Sequence, residues 1–583
     1  MAVDADLDAP PPARRHPLDM PANLLASVGT AWIFVIMCLV VADVIGRDFL
    51  DRPIAGVSEF SARSVASIVF LQLAAAICSG RMTRSDFLLN LIGKRSPLAV
   101  TILEVLSALV GVALFAALAL IALPEFINSW NSNEFYGVQG VYSVPAWPFR
   151  GLIVALVLLV LLGVHIAVAL LAVGFFGVWL VRENIDMAMR LMYMAAYNGV
   201  ADFIFATIPL FVLMGLLVSI SNVGKDTFMV AEVLLRRLRG GLGVATVAAN
   251  TVFAAVTGVS IASAAVFTRV AVPEMVRHGY KTIFATGTVA GSSVLGMMIP
   301  PSLLMIIYGV LAEQSIGKLF IAGVIPGFLL AIVFAAMIMT MARFTPGRVF
   351  DLQRYSALES SRVDITLTRG QMASKLVPIA ALVILVLGGL YTGFFTPTEA
   401  GGVGAFGALV IALLRRSLGK GNFWRVLHET GSVSCTILIL LVAAGFYSRM
   451  LGVAGVPAAI ADLVRDVGLG PYGFLVLYIT IVLLLGMILD SSSILLIMTP
   501  VAAPIAQAFG FDLIHFGVIT VLAVEMGLIT PPFGISVFTV KSTLNDPRVS
   551  VESIFAGAMP FVGAMFLVLI AVCAFPWLSL ALI

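Results

Sequence analysis

Long apolar runs alternate with short polar loops along the whole chain. Runs of spanning length fall near 23–46, 63–80, 99–124, 151–181, 201–222, 317–341, 374–395, 434–451, 472–489 and 557–582. A transmembrane helix needs about 20 consecutive apolar residues, so these predict a polytopic, all-α membrane protein. Two further apolar stretches, 241–312 and 486–541, are interrupted by Gly, Pro, Ser and Thr. Within them Gly296-Met297-Met298-Ile299-Pro300-Pro301-Ser302 returns 231 residues later as Gly527-Leu528-Ile529-Thr530-Pro531-Pro532-Phe533. Consecutive prolines break a helix. At membrane depth a broken helix is tolerated only where protein or a water-filled cavity covers its free backbone groups. Matching breaks in two halves of a membrane chain point to a binding site.

The same offset takes Ser260 to Ser491, Thr268 to Thr499, Pro273 to Pro504, Gly279 to Gly510 and Gly296 to Gly527. It fails at Gly258, which meets Leu489, and at Gly291, which meets Leu522. Each repeat carries a Ser/Gly-rich interruption, Thr257-Gly258-Val259-Ser260 and Leu489-Asp490-Ser491-Ser492-Ser493, ahead of its double proline. The interruptions predict two re-entrant helical hairpins and the prolines two broken helices, in an inverted-repeat core of ion-transporter type. Helix ends with their partial charges would then face a common cavity. Residues 1–150 form a separate N-terminal membrane domain, and 182–583 hold repeat 1 (about 200–342), a connector (343–375) and repeat 2 (about 376–583). Between the two regions, 151–181 is one unbroken run of 31 residues. As a helix it would be about 46 Å long against a hydrocarbon core of about 30 Å.

Composition supports the membrane reading, with 61% hydrophobic and 11% charged residues. The net charge of +3 comes with no basic cluster, which argues against nucleic acid. The four cysteines lie in apolar segments without metal or disulfide spacing and read as packed thiols. The first run is too long for a signal peptide, so it is read as a retained helix with a cytoplasmic N-terminus. The loop at 80–96 holds Arg81, Arg84, Lys94 and Arg95 while 125–149 holds no Lys or Arg, and the connector is also rich in Arg. Basic loops face the cytoplasm.

Unwound backbone carbonyls with Ser and Thr hydroxyls suit Na⁺, a hard cation preferring oxygen. One expected site comprises Gly258, Ser260, Ser292, Ser293 and the carbonyls preceding Pro300. Its counterpart comprises Asp490, Ser491, Ser492, Gly527 and Thr530. Ser and Gly could equally serve close helix packing, and Asp490 could equally cap a half-helix. Arg269 and Lys541, with Ser302 and Pro532 at the breaks, are the expected contacts to an anionic substrate. Arg269 and Lys541 could instead reach to an interface. Glu525, two residues before Gly527, is a candidate proton or cation group, or the partner of a basic neighbour. Gly258-Val259-Ser260 also has the Gly-x-Ser form of an intramembrane serine protease, which would need a histidine from another helix. No GxxxxGK[ST] loop is present, so energy must come from an ion gradient or a partner.

Several of these motifs resemble the large membrane subunit of tripartite ATP-independent periplasmic (TRAP) transporters. They are Ile208-Pro209-Leu210-Phe211, Arg239-Gly240-Gly241-Leu242, Pro300-Pro301-Ser302, Thr396-Pro397-Thr398-Glu399-Ala400, Gly486-Met487 with Asp490, and Gly527 through Gly534. Residues 1–150 resemble the small four-helix subunit through Asp43, Arg47, Pro53-Ile54 and Glu59, although Gly80-Arg81-Met82 departs from the usual Gly-His-Ile. The resemblance implies a fused permease of the bacterial inner membrane, not an enzyme, with no organic cofactor. It implies sodium-driven, elevator-type uptake of an organic acid, a carboxylate or sulfonate such as a C4-dicarboxylate, handed over by a periplasmic substrate-binding protein. A carrier of the same architecture without a binding protein is the alternative. A four-helix small subunit starting inside also ends inside, whereas a large subunit beginning outside needs an inward first helix. One helix over 151–181 serving both modules reconciles the two.

Overall fold

The computed structural model describes residues 19–78, 127, 131, 135–138, 142–145, 166–198, 202–353, 355, 367–454, 457, 461, 468, 470–487, 489–532 and 534–583. The expected span at 99–124, the basic loop at 80–96, the first half of the 151–181 run and part of the connector lie outside them. Among the described residues, eight helices are long and apolar enough to cross a membrane. A ninth is formed if the pair Thr282–Met298 and Leu303–Leu311, bent by 44°, counts as one span.

The N-terminal module contributes α1 (Asp19–Leu50) and α2 (Val57–Cys78), packed against each other. Helix α1 stops where the Arg52 amide donates back to the Gly46 carbonyl at 2.8 Å, just ahead of Pro53. The expected outer loop holds a departure from an all-helical chain. Phe135–Val138 and Tyr142–Pro145 pair as an antiparallel hairpin, in register Phe135 to Pro145. Aromatic and β-branched residues favour such pairing over helix.

The larger region runs α3 (Ile166–Arg182), α4 (Ile185–Asn198), α5 (Thr207–Ile220), α6 (Val223–Leu235), α7 (Gly241–Thr257), α8 (Ser260–Arg277), α9 (Thr282–Ser293), α10 (Leu303–Leu311) and α11 (Ile316–Phe344). It continues with α12 (Arg369–Val383), α13 (Pro397–Leu414), α14 (Lys420–Val453), α15 (Pro471–Gly486), α16 (Ser491–Ala508), α17 (Leu513–Gly527), α18 (Ile535–Leu544) and α19 (Val551–Ala574). The 231-residue offset maps α8 onto α16 end for end, and α3, α7, α9, α10 and α11 onto α13, α15, α17, α18 and α19 within a few residues. The Pro300–Pro301 and Pro531–Pro532 peptides are both cis.

Packing repeats along with the elements. The second arm of each hairpin lies on the post-break helix of the other repeat, α8 on α18 and α16 on α10. Likewise α9 packs on α19 and α17 on α11, while α5 packs on α13 and α14 on α3. The α9–α19 approach is close enough that a Cβ on Gly287 would lie 2.1 Å from the Gly557 carbonyl carbon, so both positions need glycine. The N-terminal module docks on α13 and α14. There Arg47 Nη1 donates to Glu399 Oε1 at 2.7 Å, and the buried Gln72 lies against Thr30 and Gly431.

Candidate functional site

The first hairpin turns at Gly258, the C-cap of α7, with φ of 61°. A Cβ there would be both strained and 2.5 Å from the Pro301 carbonyl oxygen. The Gly258 carbonyl accepts from the Leu303 amide at 3.3 Å, so the tip is tied to the break of its own repeat. The tip also abuts α5, where a Cβ on Gly215 would lie 2.8 Å from the Thr257 carbonyl oxygen. The second hairpin turns at Asp490, the N-cap of α16. Its Oδ2 accepts from the amides of Ser492 at 3.1 Å and Ser493 at 3.2 Å, and its Oδ1 from the Ser493 hydroxyl. That arrangement satisfies otherwise orphaned amides at a helix start.

The two tips meet at one carboxylate. Glu525, 1% exposed near the end of α17, accepts at Oε1 from the Ser491 hydroxyl at 3.3 Å. The Ser260 hydroxyl lies beside the same carboxylate without a hydrogen bond of good geometry. Among the described residues, Glu525 Oε2 has no hydrogen-bond partner, and neither do the buried hydroxyls of Ser263 on α8 and Ser536 on α18. Ser260 and Ser491 are equivalent under the repeat, but the equivalent of Glu525 is Val294. A buried carboxylate without a counter-charge is costly, and buried polar groups without partners call for a reason.

The remaining expected residues divide by how their polar atoms are used. Ser292 accepts at Oγ from Asn250 Nδ2 at 2.6 Å, leaving Asn250 Oδ1 unpaired. Ser293 donates to the Ala290 carbonyl at 2.8 Å and Thr530 to the Met526 carbonyl at 2.7 Å. Ser492 is half-buried and its amide is held by Asp490. The Gly527 carbonyl accepts from the Thr530 amide at 3.0 Å, and a Cβ on Gly527 would lie 2.6 Å from the Gly486 Cα. Before Pro300, the Met297 carbonyl accepts from Ser302, whose Oγ also caps α10 by accepting from the Met305 amide at 3.3 Å. Pro532 is exposed, and so is Arg269 on α8. Lys541 donates to the carbonyls of Asp546 at 2.8 Å and Val549 at 2.6 Å, tying down the loop after α18. Thus Ser260, Ser491 and Glu525 are brought together, whereas Arg269 lies exposed half-way along α8 and Lys541 is taken up by the loop after α18. Ser263, Ser536 and Asn250 are not among the residues to which the sequence points. Only Ser263 carried a signal, lying one turn beyond Ser260 on the same helix face.

Comparison with known proteins identifies the family. A family described as "Tripartite ATP-independent periplasmic transporter, DctM component" matches residues 153–578. The corresponding DctQ component matches residues 36–176. The C4-dicarboxylate TRAP transporter large permease protein DctM of Pseudomonas aeruginosa is 35% identical over 64% of this chain and 85% of its own length. Its namesake from Vibrio cholerae is 30% identical over 72% of this chain and 94% of its own. The isethionate TRAP transporter permease protein DctMQ of Oleidesulfovibrio alaskensis is 29% identical over 64% of this chain and 57% of its own. Among solved structures, the Alcanivorax borkumensis YdaH transporter aligns with a TM-score of 0.47 at 12% identity, over 81% of this chain and 98% of that one. These relatives are transport permeases, and the group beside Ser260 is a carboxylate rather than the imidazole that a serine protease would require. The chain belongs to the TRAP transporter family, as a multi-pass membrane permease in which the small DctQ and large DctM components are fused.

Proposed function

We propose that the chain is a sodium-coupled importer of an organic acid, of carboxylate or sulfonate class, in the bacterial inner membrane with its N-terminus in the cytoplasm. A periplasmic substrate-binding protein delivers the cargo, and an elevator-type movement of the hairpin-bearing core carries it across. The relatives named for C4-dicarboxylates and isethionate support the cargo class. The observation that carries the coupling is the meeting of both hairpin tips at Glu525, with Glu525 Oε2 and Ser260 Oγ without a hydrogen-bond partner among the described residues. One carboxylate charge offsets one Na⁺, and hydroxyl and carboxylate oxygens are the hard donors that such an ion prefers. Asp490, Ser302 and Thr530 already spend their oxygens on local hydrogen bonds, so the ion is centred on Glu525, Ser260 and Ser491. Sodium binding would draw the two tips together across the repeat interface and order the cavity that takes the substrate. The sliding surface is the α5 contact at Gly215, where backbones approach without intervening side chains.

The test is uptake of radiolabelled C4-dicarboxylate and isethionate by proteoliposomes, with and without a sodium gradient and with and without the cognate binding protein. Uptake that needs both supports the reading. Uptake without the binding protein leaves the stand-alone carrier, and uptake indifferent to sodium removes the coupling.

A further inference from the structure

Away from the hairpin tips, the last turns of α6 and α8 bring two carboxylates and an imidazole together. Glu232 on α6, and Glu274 and His278 at the end of α8, each offer a ligand atom, and these atoms lie within 4.8 Å of one another. Glu232 is only 8% exposed, and the Arg236 and Arg277 guanidiniums and the His278 imidazole lie within electrostatic reach of its carboxylate. Glu274 Oε1 is buried without a hydrogen-bond partner, although His278 Nδ1 is 3.3 Å away. Arg277 sits on the outer oxygen of Glu274 at 3.6 Å and is itself largely exposed. Glu232 is buried and Glu274 half-buried, and two carboxylates this close repel unless a cation or a proton intervenes.

We propose that Glu232, Glu274 and His278 form a binding site for a divalent first-row transition metal ion of the zinc class. One imidazole with two carboxylates is a mixed nitrogen–oxygen set that suits such ions better than Ca²⁺ or Mg²⁺. Bonds of about 2.0–2.2 Å place tetrahedral ligand atoms roughly 3.4 Å apart, so small side-chain rotations close the present spacing. Two carboxylates neutralise a dication, and three protein ligands leave a position for water. Nδ1 of His278 also lies 2.9 Å from the Glu274 carbonyl oxygen, a contact of the kind that orients metal-binding imidazoles.

The location gives the site a consequence. Near its other end α6 is held by Asp226, which pairs with Lys375 of α12 and with Arg415 at the C-cap of α13. Helix α6 is therefore a strut between α12 and α13 and the second arm of the first hairpin, α8. A metal ion would fasten that strut to α8 and slow any movement of the hairpin relative to it. That braking effect rests on the elevator reading, but binding of the ion does not.

The test measures binding first. Untagged full-length protein in detergent is dialysed against Zn²⁺ alone and its retained metal counted, in parallel with Glu232→Gln, His278→Asn and an Arg277→Gln control. One retained ion per chain is expected, with affinity falling at least tenfold in the first two variants and little in the third. Binding should also weaken as pH falls, because carboxylates and imidazole must be deprotonated to ligate. No retained zinc in the native protein overturns the site, whatever the folding of the variants, and so does equal retention by all four proteins. Chelator-reversible slowing of uptake in native proteoliposomes would add the brake; its absence alongside stoichiometric binding would remove the brake and leave the site.

Discussion

The two repeats share their skeleton and differ in how their tips are finished. In repeat 1 the turn is made by backbone alone, at Gly258 with positive φ, and the tip hydroxyl of Ser260 has no hydrogen-bond partner among the described residues. In repeat 2 a side chain makes the turn, Asp490 capping α16. The equivalent of Ser260 there, Ser491, is bonded to Glu525, for which repeat 1 has only Val294. The skeleton is thus twofold while the charge is not. A charge at both positions would put two carboxylates close together in a dry interface. A single carboxylate with one hydroxyl from each tip instead makes one site that depends on both hairpins.

The comparison breaks most visibly at Glu525. Glu525→Gln keeps the shape and the Ser491 contact but removes the charge. Losing one partner of a buried ion pair costs roughly 3–5 kcal/mol, so apparent sodium affinity in uptake assays should fall by about a hundredfold or more. Unchanged sodium dependence would mean that the asymmetric carboxylate is not the coupling group. Next comes the backbone turn of repeat 1. Gly258→Ala places a Cβ at φ of 61° and 2.5 Å from the Pro301 carbonyl, which should cost about 2–3 kcal/mol. Leu489→Ala, at the equivalent position of repeat 2, should cost less, and thermal unfolding in detergent ranks the two.

Asp490 separates capping from ligation. Asp490→Asn keeps an oxygen for the Ser492 and Ser493 amides, while Asp490→Ala removes it. The alanine variant should lose about 1 kcal/mol of stability, read as a lower unfolding temperature, and both variants should retain sodium dependence. A loss of sodium dependence in the asparagine variant would move the ion from Glu525 to the cap.

The repeat was legible in the chain because prolines and glycines fix backbone events, and α8 and α16 fall where the 231-residue offset puts them. Which oxygens are free was not. In one dimension Asp490 and Thr530 look like cation ligands and Ser302 like a substrate contact, yet each lies beside a helix end or turn whose backbone its side chain satisfies. Lys541 looks like a substrate contact until the chain after α18 folds back onto it. Ser536 and Asn250 gave no sign because an orphaned hydroxyl or amide is defined by what lies across from it, in another repeat or on another helix. Even Glu525, conspicuous as an acid in an apolar run, gained meaning only when Ser260 and Ser491 arrived from opposite tips.

The smallest effect concerns the N-terminal module, which also treats the repeats unequally. Arg47 reaches Glu399 on α13, and the equivalent of Glu399 on α3 is Val168. Through Arg47 the module is therefore tied by charge to the repeat 2 helix. Glu399 also closes the capping box of α13, its side chain accepting from the Thr396 amide at 2.9 Å, so the ion pair bears on a helix start that is already ordered. Because Arg47 is 37% exposed, water screens the pair and Arg47→Gln should cost less than about 1 kcal/mol. Thermal unfolding should shift only slightly, and less at high salt, with sodium dependence intact. A large loss of stability would instead show that α13 needs the N-terminal module to hold its place, making the fusion a structural requirement of repeat 2.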